Sequence, residues 1–466
     1  MALMVGPFSR EASAAAFNVE ARTETQAYQI RAYRGTTPTD LTLLPRRRIV
    51  QYLGAEGYEL VTGQDLGFEA DLRVFSDFGV PHDEADRVDG LRTEDVDLMY
   101  ANIRYRSGGF EGVLGRQYVQ EVTELFAIDG ARARYVIRPL GLGAEAYAGL
   151  WVKATSLLAS PNTQLDGTPD LEPGAVARRA ELEGFFEDQR AIEPVFGARL
   201  LADNIEGSGV SAAAGYRRSF TSGKTTSERL GLNLQYGGGF GRPKGLSVVG
   251  AFEYDLMQER ISTLRALARY DADLFAAQVE ALRFAPTFSS WSIWYYFAAA
   301  PRDELRLRAD YTPLGPLRYY VQLTASRYNL EINEALGLSN LVIFGQEGNG
   351  MTWGAGGGAN FLLDWFHANA DVTWRNGWGG RQLWVDLNAG VARSGSRWSL
   401  DGRFSFASVR DQYNALLRGD FYGGQLWGSY RIARSARASV VLEENINPFT
   451  RSDTKVFFVI DLQAVL

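Results

Sequence analysis

His82 and His367 are the chain's only imidazoles, so they limit any proton-transfer chemistry it could do near neutral pH. His82 stands among Asp83, Glu84, Asp86 and Asp89, which reads as a solvated acidic loop, with Ca²⁺ binding as the lesser alternative. His367 shares a period-two face with Asn369 and Asp371, and neither a nucleophile elbow nor a second histidine stands near it. There are 0 cysteines, which excludes thiol catalysis and cysteine-held zinc. No glycine-rich phosphate loop or dinucleotide fingerprint precedes a helix pattern. The expectation is a protein with no catalytic residue, no cofactor and no metal, and so not an enzyme.

Charge does recur with a spacing. Glu69, Asp71 and Arg73 alternate, as do Arg104 and Arg106, Arg132 and Arg134, and Arg306, Arg308 and Asp310; Arg318, Asp371 and Asp386 follow the same parity on their own segments. A period of two puts each set on one face of a strand. Facing a water-filled lumen, such side chains would line a pore and tune its preference for solute charge. The plainer alternative is that they pair across strands and fill an interior.

Either role needs strands whose opposite face is apolar, and the sequence supplies them. Leu305, Leu307, Ala309 and Tyr311 oppose Arg306, Arg308 and Asp310; Leu317, Tyr319, Val321, Leu323 and Ala325 oppose Arg318, Tyr320, Gln322 and Thr324. From Lys455 onward, Val456, Phe458, Ile460, Leu462, Ala464 and Leu466 form a wholly apolar face. Segments of this kind recur along the chain at about ten residues each, the length that crosses a bilayer when tilted. No apolar run approaches the ~18 residues of a membrane helix. The fold class expected is all-β: a transmembrane antiparallel up-and-down β-barrel of about 22 strands, with 18–24 as the range, short periplasmic turns and long extracellular loops.

Long connections are expected around 34–45, 77–95, 119–130, 154–194, 285–302, 328–351 and 409–419. Short ones are expected at Gly108, 140–142, 206–208, Asp271, 313–315, 363–364, 393–396 and 432–435. The connection at 257–259 is short where the alternation asks for a long one. Residues 261–283 could be drawn as a helix, but Leu264, Ala266, Ala268 and Tyr270 alternate, which favours a hairpin. Residues 1–14 read as the remnant of a signal peptide or a disordered N-terminus, because Ala12-Ser13-Ala14 has the form of a cleavage site. Residues 15–466 then form a single barrel domain, in which 154–194 is a long loop, with helical spacing over 174–190, that could act as a plug. Tyr100, Tyr105, Trp151, Tyr236, Trp291, Trp294, Trp374, Trp398, Trp427 and Tyr430 fall near strand ends, as interfacial girdles would.

The terminal alternation over 455–466 resembles the C-terminal signature of bacterial outer-membrane barrels, with Leu466 where that family usually ends on an aromatic residue. The resemblance implies placement in the outer membrane, contact with its lipid and lipopolysaccharide, and recognition by the barrel-assembly machinery. Gly115-Arg116-Gln117 followed by Asp129-Gly130 is similar to a pattern of alginate-export-type and related polysaccharide-secretion barrels. That likeness implies a wide, arginine-lined barrel passing an anionic polysaccharide. The function expected is a porin-like channel for solutes or such a polymer. The alternative is a non-conducting barrel that anchors an envelope export or motility assembly. A net charge of −7, with no basic run beyond Arg46, Arg47 and Arg48, argues against nucleic acid as a partner.

Overall fold

The computed structural model describes residues 16–33, 41–79, 94–121, 124–152, 193–203, 208–221, 223–237, 245–285, 301–329, 349–392, 395–411, 418–448 and 452–465. Its strands are β1 (Ala16–Tyr33), β2 (Leu41–Tyr58), β3 (Asp65–Asp77), β4 (Glu94–Ser107), β5 (Phe110–Gln120), β6 (Leu125–Ile137), β7 (Leu142–Trp151) and β8 (Pro194–Ala202). They continue with β9 (Val210–Thr221), β10 (Lys224–Tyr236), β11 (Leu246–Asp255), β12 (Arg260–Asp271), β13 (Phe275–Phe284), β14 (Arg302–Tyr311) and β15 (Leu317–Asn329). The rest are β16 (Asn349–Leu362), β17 (Phe366–Gly377), β18 (Gly380–Val391), β19 (Trp398–Arg410), β20 (Gly419–Ala433), β21 (Ala436–Ile446) and β22 (Asp453–Val465). Each pairs antiparallel with its neighbours in sequence, and β1 pairs with β22 from Asn18↔Val465 to Ala27↔Val456. All 22 strands therefore form one closed ring, which leaves no free sheet edge at the seam between first and last strand.

The two faces of this ring are inverted relative to a soluble protein. Following register from strand to strand, one face carries Val321 (64% exposed), Leu323 (58%) and Leu307 (42%), and the other carries Glu304 (5%), Glu280 (6%) and Thr324 (8%). Large apolar side chains stand outward and charged ones are enclosed. That makes sense only if the outer solvent is lipid. Outward aromatics gather at the end holding the chain termini: Tyr105, Phe110, Tyr135, Tyr311, Trp398 and Tyr430, with the rings of Phe275 and Tyr311 4.9 Å apart. This is one interfacial girdle. Tyr236 and Trp374 also face outward, whereas Tyr100, Trp151 and Trp427 fall on the inner parity; Trp291 and Trp294 lie outside the described residues.

The four longest connections, 78–93, 152–193, 285–301 and 330–348, all lie at the end opposite the termini. Long and short do not alternate strictly, however. Connections 121–124, 222–223, 256–259 and 378–379, at that same end, are tight. The long loop expected at 119–130 is the clearest correction: Asp129-Gly130 reads as a turn dipeptide, yet both residues sit within β6, where Asp129 registers with Arg116. The short turn after β11 is held by Asp255, whose carboxylate accepts from the backbone N–H of Met257 and of Gln258 at 2.9 Å. Residues 261–283 form the β12–β13 hairpin and not a helix. The proposed cleavage site, His82, and the helix and plug expected within 154–194 lie outside the described residues.

Candidate functional site

The inner wall is the candidate site, and alternation along each strand puts its charges there. On β12–β14 they form a continuous chain. Arg265 binds Glu280 at 2.6 Å; Arg306 bridges Glu280 at 3.1 Å and Glu304 at 2.6 Å. One level nearer the termini, Arg308 binds Asp310 at 2.8 Å and lies 3.9 Å from the ring centre of Tyr320, while Arg269 reaches Asp310 at 3.4 Å. Such networks hold their geometry because losing one member strands a half-buried partner charge.

The β5–β6 hairpin leaves the wall and lies across the lumen side of its neighbours. Glu124, at its tip, contacts Arg217 of β9 at 2.8 Å and Arg229 of β10 at 3.2 Å. Four strand spacings separate β6 from β10, roughly 19 Å along the wall. Since Arg217 and Arg229 both face inward, only a tip folded into the lumen spans that distance. Beneath it Val119, Phe126, Ile128, Tyr147 and Val195 form a dry apolar cluster, Val119 and Ile128 being 0% exposed. The Arg217 guanidinium stacks between Phe126 and Trp151, 4.9 and 5.0 Å from their ring centres. Glu121, in the turn, accepts a hydrogen bond from the Tyr147 hydroxyl, and burial pushes its carboxyl above the ordinary glutamate range.

The root of this hairpin is the Gly115-Arg116-Gln117 and Asp129-Gly130 pair of motifs. The β4–β5 ladder ends at Ala101↔Arg116, where Gly115 has φ +119°, a conformation that favours glycine. Arg116 grips Asp129 with two parallel hydrogen bonds of 2.7 Å and donates from Nη1 to the Leu98 carbonyl at 2.9 Å. It thereby ties β4 to the hairpin beyond the point where backbone pairing stops. Arg116→Ala is expected to destabilise the folded-in tip by about 1 kcal/mol, the upper part of the range for a pair with one exposed member. Faster amide exchange at Val119 and Phe126, with unchanged exchange on β14, would show it; uniform protection would remove Arg116 from this role.

The residues singled out by spacing all fall on the inner parity. Glu69 accepts from Asn102 at 2.9 Å, Arg73 binds Asp97 at 2.6 Å, and Arg106 and Arg132 share Glu111 at 2.8 and 2.9 Å. Asp371 accepts from Asn369 at 2.8 Å and from the Tyr320 hydroxyl, and Asp386 binds Arg403 at 3.1 Å. Asp71 lies beside Glu20 across Gly54. Arg104, Arg134 and Arg318 make no ion pair among the described residues. His367 binds Asp401 at 3.2 Å. Spacing missed Arg217, Arg229, Arg265, Arg269, Glu124 and Glu280. Arg265 and Arg269 were readable as the face opposite Leu264, Ala266 and Ala268, but Arg217 was hidden by its neighbour Arg218, which faces outward.

A closed ring of tilted-strand length, apolar without and charged within, is an outer-membrane β-barrel of porin-like architecture. No family model matches the sequence, and no curated protein is similar to it. Solved structures similar to it include a BenF-like porin from Pseudomonas fluorescens, 9% identical over 97% of this chain and 99% of that chain with a TM-score of 0.45. OccAB1 from Acinetobacter baumannii is 8% identical over 97% of each chain with a TM-score of 0.43. The outer membrane protein OpdK from Pseudomonas aeruginosa is 8% identical over 97% and 99% with a TM-score of 0.39. At these values the likeness says nothing about what passes through this barrel.

Proposed function

We propose that this barrel is a channel for charged solutes, and that its wall imposes a transverse electric field on them. The carrying observation is the sign of two facing arcs. On the inner face of β12–β15, Arg265, Arg269, Arg302, Arg306, Arg308 and Arg318 outnumber Asp271, Glu280, Glu304 and Asp310; on that of β1–β3, half the ring away, Glu20, Glu24, Glu56, Asp65, Glu69, Asp71 and Asp77 outnumber Arg22, Arg46, Arg48 and Arg73. A solute crossing between them is oriented by opposite charges in a low-dielectric frame. An anionic solute, small or polymeric, follows the arginine arc, and the folded-in β5–β6 tip narrows the path on one side. The apolar outer wall meets outer-membrane lipid and lipopolysaccharide, and the alternation of β22 suits recognition by the barrel-assembly machinery. His367, already engaged by Asp401, supports a lining role over catalysis.

A second reading, a closed anchoring barrel, is favoured by the fully buried Val119 and Ile128 on the inner parity. Conductance separates the two. Heat-modifiable, folded protein inserted in a planar bilayer is expected to give discrete current steps in KCl. Folded protein that inserts and yields none would leave the anchoring reading.

A further inference from the structure

Two tryptophans stand on the inner wall where a water-filled lumen gives an indole nothing to bury against. Trp384 on β18 and Trp427 on β20 are 45% and 47% exposed, and register places both inward, on the parity of Asp386 and Arg403. Trp353 and Trp374 face lipid from neighbouring strands, so the outer wall could have housed these rings. Exposed aromatic faces kept on the wet side are contact surfaces.

Apart from Gly423, the inward residues between the two rings carry hydrogen-bonding side chains. Along the strand direction the wall runs from Trp384, through Asp386 opposite Ser405, then Asn388 opposite Arg403 and Gln425, to the level of Gly390, Asp401 and Trp427. Six residues of β18 separate the first level from the last, about 20 Å. Asn388 Oδ1 is enclosed without a hydrogen-bond partner among the described residues. The floor is kept low: a Cβ on Gly390 would lie 2.1 Å from Asp401 Oδ1 and 2.3 Å from His367 Cε1.

We infer that this strip is a binding track for an oligosaccharide chain, a reading that rests on the proposed channel and names a solute class for it. A pyranose has an apolar C–H face, whose partial positive charge suits the negative face of an indole, and a rim of hydroxyls that both donate and accept. Carboxylate, amide and guanidinium groups between two aromatic platforms match that pattern repeated along a chain. A lipid tail would leave the polar groups unpaired, and a small ion would not need the rings.

The test is binding, measured by isothermal titration calorimetry on the full-length protein in detergent, with maltohexaose and cellohexaose as probes. At least one probe is expected to show saturable binding. Trp384→Ala and Trp427→Ala should each weaken it about tenfold, and Trp384→Tyr and Trp427→Tyr should restore most of it. Heat-modifiable migration checks that each variant is folded. Binding weakened about tenfold or more in both alanine variants and largely regained with tyrosine supports the track. No saturable binding with either probe, or alanine variants that bind like the native chain, overturns it. Binding is read without current, so native protein that binds sugar but conducts nothing sinks the channel and leaves the track standing.

Discussion

Val321→Arg is expected to cost about 2–4 kcal/mol of folding free energy in a bilayer, while Gln322→Arg, one residue on, costs less than about 1 kcal/mol. Val321 is 64% exposed near the middle of β15, registered with Ala309 and Gly357 and flanked on its own face by Tyr319 and Leu323. A guanidinium there must shed water into hydrocarbon or drag water in. Gln322 faces the lumen opposite Arg308 and diagonal to Arg306, so the new charge stays hydrated and its like-charged neighbours are met in water. Equilibrium unfolding in guanidinium from lipid vesicles, followed by tryptophan emission, measures both variants. Equal costs at the two sites would mean that the faces have been assigned wrongly, and the membrane reading would go with them.

That assignment was open to reading from the sequence because period-two alternation is local: Leu305 to Tyr311 against Arg306 to Asp310 needs no partner strand to be seen. Strand number followed, since each span shows the same contrast, and the β12–β13 hairpin was legible despite its alanine and leucine content. What failed depends on contacts far apart in sequence. Asp129-Gly130 has the local chemistry of a turn, but pairing with Arg116 and the tight approach of Gly130 to the Ala148 carbonyl, 2.2 Å from a would-be Cβ, place it inside a strand. The folded-in tip rests on Glu124 meeting Arg217 and Arg229, which no short window of sequence contains. Trp427 looked like a girdle residue because its strand alternates weakly: Gly423, Gly424 and Gly428 blur the parity, and only register with Asp401 and Val441 places it inside. The motif at residues 115–117 and 129–130 was visible as a pattern, but its physical meaning, a guanidinium extending a ladder that the backbone abandons, appeared only in three dimensions.

Reversing charge on the arginine arc should turn the channel's ion preference. Arg308→Glu with Arg318→Glu is the informative pair, because neither leaves a carboxylate stranded: Asp310 keeps Arg269 at 3.4 Å, and Arg318 has no ion-pair partner among the described residues. Reversal exchanges two positive charges for two negative ones on the arc facing Glu69 and Asp71, so the field across the lumen loses its sign difference. The ratio of potassium to chloride permeability, taken from reversal potentials across a salt gradient, is expected to rise several-fold at about 10 mM salt, where charges act over ~30 Å. At about 1 M salt the screening length falls to ~3 Å and the shift should vanish. Arg327→Glu supplies the control: Arg327 lies on the same strand as Arg318 but faces outward, opposite Asp303 and Met351, and its reversal should leave the ratio alone. A double variant that folds, conducts and keeps the native ratio at low salt would mean that ions pass out of reach of the β12–β15 wall. The opposed arcs would then be structural ballast, not the selectivity element.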